Sequence, residues 1–153
     1  MSTPEQRLAE LGLELPPVTA PLAAYVPAVK VGDLVWTAGQ LPMVNGSLAA
    51  TGLVGSEVSP EQAAELARVC ALNALAAVAS ITGTLSAVQR VVKVVGYVAS
   101  APGFTAQPAV VDGASRLLGE VFGDAGKHAR SAVGVAVLPL NAPVEVELVV
   151  STA

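Results

Sequence analysis

Aromatic side chains are scarce in this chain of 153 residues: one Trp, two Tyr and two Phe, 3% in all. A core built without them must rely on Ala, Val and Leu. Charge is scarce too, at 13% against an apolar fraction of 53%, a balance more apolar than that of an ordinary soluble domain. The length suits one domain spanning residues 1–153. So few charges leave apolar surface for another copy of the chain to cover. There is no basic run and the net charge is −4, which argues against a dedicated nucleic-acid surface, since that needs clustered Lys and Arg. A single cysteine, Cys70, excludes an internal disulfide framework. One His and one Cys leave no structural zinc site. The chain has no P-loop, no Gly-rich dinucleotide fingerprint and no G-x-S-x-G elbow. The N-terminus lacks the basic and apolar regions of a secretory signal. The longest charge-free run in a helical pattern, Val69 to Ser80, is short for a bilayer span. The expectation is a soluble, cytoplasmic protein with no membrane partner.

What is present falls into a clear order. Thr3-Pro4-Glu5-Gln6 is a helix start, with a Thr cap, Pro at the first position and Gln as the capping-box partner. Gly12 ends that short helix. Leu15 to Pro21, with three prolines, is an extended connector. Residues 1–20 thus form a helix and Pro-rich extension ahead of the body. Tyr25 to Val31 and Asp33 to Ala38 make a hairpin about Gly32-Asp33. Gly39 follows, where a bulge or a close backbone approach is permitted. Asn45-Gly46 is a type I′ turn signal, and Leu48 to Val54 is a weak strand. Ser59-Pro60-Glu61-Gln62 repeats the helix-start pattern, predicting a helix over Ser59–Ile81 that stops at Gly83. Cys70 lies within it as a small buried hydrophobe. Val88 to Ser100 is a long strand. Arg90 and Lys93 differ in parity, which predicts a bulge, and Gly96 fits one. A second helix covers Pro108–Phe122, with Asp112-Gly113 in its early turns near the positive end of the dipole. The sum is an α+β fold, one mixed β-sheet with two helices packed on one face. The other face needs a cover, and self-association supplies it.

His128 to Val150, HARSAVGVAVLPLNAPVEVELVV, organises the rest. It reads as two strands joined by a proline-bracketed loop. By alternation, Arg130, Ala132, Gly134 and Ala136 share one face of the first strand. An arginine heading a face of small residues, beside exposed strand amides, can hold a carboxylate with its bidentate fork. The alternative on spacing alone is an ion pair with Glu145 or Glu147. His128 lacks a triad, and its loop setting favours a surface or interface role.

The segment ARSAVGVAVLPLNAPVEVE resembles the C-terminal signature of the RidA/YjgF superfamily. Tyr25-Val26-Pro27-Ala28-Val29 and Thr37-Ala38-Gly39-Gln40-Leu41-Pro42 resemble its N-terminal signature. Phe104 through Gly126 is similar to a longer subgroup, so the likeness covers about residues 20 to 150. It implies a chorismate-mutase-like fold and a homotrimer with clefts between subunits. It also implies hydrolysis of reactive 2-imino and enamine acids to 2-keto acids and ammonia, with no metal or cofactor. Arg130 would bind the substrate carboxylate, assisted by the Ala132 amide. Glu145 would orient the attacking water. Tyr25 and Gly39 match the part of the cleft given by the neighbouring subunit. Ala132 stands where the better-known deaminases place Cys, Gly134 where they often have Glu, and Asp112 where relatives commonly show Asn. Asp112, if it lines the cleft, would repel an anionic ligand. A non-catalytic trimer that binds small carboxylates, with a sensing or accessory role, uses the same Arg130. Ribonuclease chemistry finds no support, since there is no His pair and no basic groove.

Overall fold

Gly32 takes a left-handed φ of 59°, which a two-residue hairpin turn requires. The chain pairs at once on either side of it. Strands β1 (Ala28–Val31) and β2 (Leu34–Thr37) are antiparallel, with Ala28 opposite Thr37 and Val31 opposite Leu34. The computed structural model describes residues 2–19 and 23–153. Ala20 and Pro21, the end of the expected connector, lie outside the described residues. A second, very short hairpin, β3 (Met43–Val44) and β4 (Ser47–Leu48), turns at Asn45 and Gly46, both at positive φ.

Three strands complete the main sheet: β5 (Val88–Ala99), β6 (Ala129–Val135) and β7 (Val144–Thr152). The order is β1-β2-β7-β5-β6. All neighbours are antiparallel except β5 and β6. A parallel pair needs a crossover connection, usually a helix. The second long helix supplies it, so β6 and β7 are separated by β5 although consecutive in the chain. The bulges foreseen in β5 occur between Val88 and Arg90 and between Val91 and Lys93. Gly96 has a different reason. A Cβ there would stand 2.4 Å from Cγ2 of Val111, so the glycine lets a helix settle close onto the sheet. The weak strand expected over Leu48–Val54 is a correction. Pairing ends at Leu48, and Val54 makes only isolated bridges to Val58 and Ser100.

Helix α1 (Pro4–Glu10) has the capping box read from Thr3 and Gln6. Helix α2 (Pro60–Thr82) is capped by Ser59 and stopped by Gly83 at φ 79°. Helix α3 (Gln107–Phe122) begins without a side-chain cap. Both long helices lie on one face of the sheet and bury Leu66, Cys70, Leu75, Leu117 and Leu118 against Val35, Val94, Val98, Val146 and Leu148. By length and composition the whole of α2 is long and apolar enough to cross a membrane, although its charge-free run Val69–Ser80 alone is not. Over half of that window is buried inside the fold (56%), as in a core helix. Among the described residues, no helix covers the sheet's other face. Val29, Val31, Trp36 and Val133 are exposed there, Trp36 at 49%.

Candidate functional site

Strand register decides which side chains can meet. Arg130 is opposite Val94, and Val94 is opposite Leu148. Val94 and Leu148 are core residues, so Arg130 projects on the helix-covered side. Glu145 is opposite Tyr97, which is opposite Val133, so Glu145 projects on the uncovered side. Two strand spacings and three residues along the strand put their Cα atoms about 14 Å apart, on opposite faces. Within one chain Arg130 and Glu145 do not meet. The expected alternative, an ion pair of Arg130 with Glu145 or Glu147, is excluded by the same register.

Arg130 instead meets α3. Its Nη1 donates to Oδ1 of Asp112 at 2.7 Å and to Oγ of Ser115 at 3.2 Å. Nη2 makes a long contact of 3.4 Å with the Pro108 carbonyl, and Nε has no partner among the described residues. The Nε edge of the guanidinium therefore keeps its fork. β6 is an edge strand. The Val135 carbonyl accepts from the Ser100 amide beside β5. Backbone direction alternates along a strand, so the amides of Ala132 and Arg130 turn toward the free edge. Gly134 is packed by the Gln107 amide. A Cβ there would lie 2.7 Å from Nε2, which leaves little room for the larger residue of the better-known deaminases.

His128 extends this cluster. Its Nε2 is 2.9 Å from Oγ of Ser115, and its Nδ1 is 2.6 Å from the Gly126 carbonyl. The carbonyl can only accept, so Nδ1 carries a proton and Nε2, in the neutral ring, accepts from the Ser115 hydroxyl. Burial lowers the His128 pKa, and the neighbouring Arg130 charge lowers it further, against a raising contribution from the Gly126 bond. The sequence motifs alone do not point to Ser115 or His128 as site residues. Ser115 lies three residues after Asp112, the spacing that puts both on one helix face, and that was the available signal. Arg130, Ser115, His128 and Lys127 line an open cavity of about 350 Å³.

The second cluster belongs to β7. Glu145 is half-buried, and burial raises its pKa, helped by the charge on Glu147. The Tyr97 hydroxyl donates to Glu147, which pushes the Tyr97 pKa up to about 12. Gly39 touches Glu145 directly: a Cβ on Gly39 would stand 1.9 Å from Oε2. The neighbouring Gln40 is fixed by two backbone hydrogen bonds to Val146. Gly39 thus groups with Glu145 in one chain, while Arg130, Ala132 and Asp112 form the other group. Tyr25 is exposed, just before β1. Cys70 is fully buried, and burial pushes its thiol up, as suits a core residue. A larger, mainly apolar cavity of about 560 Å³ lies between Pro16–Thr19, the β3–β4 hairpin and α2, and contains none of these residues.

Residues 5–151 match the sequence model of the family described as "YjgF/chorismate_mutase-like, putative endoribonuclease". The chain is 42% identical over 144 residues to Protein TCP17 of Trypanosoma cruzi, covering 94% of this chain and 90% of that protein. The crystal structure of Atu1372 from Agrobacterium tumefaciens, described as of unknown function, is 46% identical with a TM-score of 0.91, covering 98% of this chain and 92% of that one. A crystal structure from Shewanella oneidensis, described as "a putative endoribonuclease", is 36% identical with a TM-score of 0.95, covering 98% of this chain and 99% of that one. Escherichia coli TdcF, solved with bound serine, is 21% identical with a TM-score of 0.66, covering 89% and 94%, and shares the fold.

Proposed function

This chain belongs to the YjgF/chorismate mutase-like family, and from that premise we propose that it is a hydrolase of reactive 2-imino and enamine acids, working in clefts between copies of itself as a homotrimer. The observation that carries the reading is the division of the site. Arg130, held at Nη1 by Asp112, offers Nε and the weakly engaged Nη2 beside outward-facing edge-strand amides. Glu145, with a raised pKa and a glycine against it, stands on the opposite face. The uncovered apolar sheet face that carries Glu145 supplies the contact surface between copies.

In this reading Arg130 of one copy takes the substrate carboxylate, with the Ala132 amide as a further donor. Tyr25, Gly39 and Glu145 come from the neighbour. Glu145 holds a water against C2 and accepts a proton as the oxygen bonds to carbon. The nitrogen takes up that proton, the C–N bond breaks, and the hydroxyl proton passes to the departing ammonia as the C=O bond forms, so ammonium leaves. An iminio acid and one water give one 2-oxo acid and one ammonium, so atoms and charge balance. No step calls for a metal or cofactor.

A second reading, a non-catalytic trimer that binds small carboxylates, is favoured by the ion pair that already satisfies one side of Arg130. The serine held by TdcF shows a small amino acid bound by the same fold. Glu145→Gln separates the two. A hydrolase loses turnover while still binding, whereas a binder keeps its affinity and has no turnover to lose. The assay uses 2-imino acids made in situ by an amino-acid oxidase. Arg130→Lys keeps the charge but loses the planar fork. Arg130→Lys and Arg130→Ala should each lower catalytic efficiency roughly 30- to 1,000-fold, as expected for losing about 2–4 kcal/mol of charge-assisted contact. Wild-type rates in both variants would make Arg130 structural.

A further inference from the structure

Asp112 changes what the Arg130 fork can select. Resting on the reading that Arg130 binds a carboxylate, we propose that Asp112 is the specificity-determining residue of that site. It holds a cationic nitrogen next to the bound carboxylate, so the site selects zwitterionic 2-amino and 2-iminio acids over plain carboxylates and 2-oxo acids.

The geometry supports this in three ways. First, Asp112 engages only one end of the guanidinium. Its Oδ1 is 2.7 Å from Nη1, while Nε has no partner among the described residues and Nη2 makes only the 3.4 Å contact with the Pro108 carbonyl, so Asp112 and a ligand carboxylate can share Arg130. Second, Oδ2 is lightly committed. Among the described residues it accepts no hydrogen bond, and its ion pair with Nη2 of Arg116 is 3.9 Å long, on a side chain 74% exposed. Such pairs hold little energy. Third, the pair is locally neutral. A plain anion beside it is attracted by Arg130 and repelled by Asp112. A zwitterion matches both charges, because its nitrogen and carboxylate are neighbours on one carbon. Lys127, the other cation of the neighbouring cavity that Arg130 lines, is paired with Asp124 at 3.0 Å. The selection has a consequence for turnover. Hydrolysis removes the cationic nitrogen, and the 2-oxo acid left behind is the species this pair holds least well.

The test is a calorimetric titration of the intact assembly at neutral pH with alanine, pyruvate and propionate. These share a three-carbon carboxylate frame and differ at C2. Wild type should bind alanine about tenfold or more tightly than propionate or pyruvate. Asp112→Asn should weaken alanine and strengthen the two anions, reversing the order. Equal wild-type affinity for alanine and propionate overturns the proposal whether or not the variant folds. Equal weakening of all three ligands in Asp112→Asn also overturns it, leaving Asp112 as a mere anchor for Arg130. Unchanged binding in Arg130→Ala overturns the proposal together with the carboxylate-site reading beneath it, so the two failures are distinguishable.

Discussion

A β-carbon on Gly39 would stand 1.9 Å from Oε2 of Glu145, so the missing side chain at one residue sets the place of the carboxylate at the other. Cδ of Glu145 would be 2.8 Å away and Cγ 3.1 Å. These atoms belong to a flexible side chain and can swing aside. Gly39 does not have positive φ, so alanine fits the backbone. Gly39→Ala should therefore fold normally, with a melting temperature within a few degrees of wild type. Its turnover should fall about 100-fold, the scale of a 1 Å misplacement at a reacting centre. Steady-state kinetics beside a thermal melt checks this.

The raised pKa of Glu145, caused first by burial and then by the Glu147 charge, fixes the direction of a pH effect. The carboxylate must be ionised to accept a proton, so turnover falls as pH drops through its pKa. The acid limb of the profile should lie above the ordinary carboxylate range. Glu147→Gln removes the neighbouring charge, lowers the Glu145 pKa and should move that limb to lower pH. A kcat–pH profile of both proteins reads the shift.

Two glycines on α3 should respond oppositely to alanine. At Gly113 a Cβ would be 1.9 Å from the Ala64 backbone carbonyl oxygen, so α2 and α3 would have to separate. Gly113→Ala should cost about 3 kcal/mol as overpacking. Among the described residues, nothing lies within 4 Å of a Cβ on Gly119. Gly119→Ala should stabilise by about 0.5–1 kcal/mol, since glycine is a poor helix former. Urea denaturation at one fixed protein concentration measures both.

Much of this architecture was legible in the sequence. Thr3 and Ser59 cap helices because their side chains accept from the amides three residues on, and glycines with positive φ mark the turns at Gly32, Gly46 and Gly83. These are local signals. The two-ended motif brought the fold and the family with it. What the sequence did not reveal depends on register. Arg130 and Glu145 are fifteen positions apart on strands that alternate cleanly, and nothing local says that β5 lies between them. The partner of Arg130 was missed because Asp112 comes from the crossover helix. Gly96 was misread because a glycine in a strand signals a bulge and a close helix contact equally well.

Glu5 ties α1 to the turn before β5. Its carboxylate accepts from Thr84 Oγ1 at 2.5 Å, Leu85 N at 2.7 Å and Ser86 Oγ at 2.8 Å. Burial opposes its ionisation, but the bonds from Thr84 and Ser86 outweigh that and lower its pKa from 4.5 to about 2. A depressed folded-state pKa contributes stability above the unfolded value and loses it as pH falls toward the folded one. Glu5→Gln should thus cost about 1 kcal/mol at neutral pH, after solvent screening of a partly exposed group. The gap should close between pH 4.5 and about 2. Urea midpoints across that range test it.

A site shared between copies is tested most directly by subunit mixing. Arg130→Ala and Glu145→Gln are each expected to be inactive alone. Co-expressed, with mixed assemblies verified by native mass spectrometry, they should regain activity. A cleft that takes Arg130 from one copy and Glu145 from the next has both residues intact in roughly a quarter of randomly mixed sites. Imine hydrolysis near that fraction of the wild-type rate is the predicted result. A mixture as inactive as its parents would contradict the account and put Arg130 and Glu145 in separate roles.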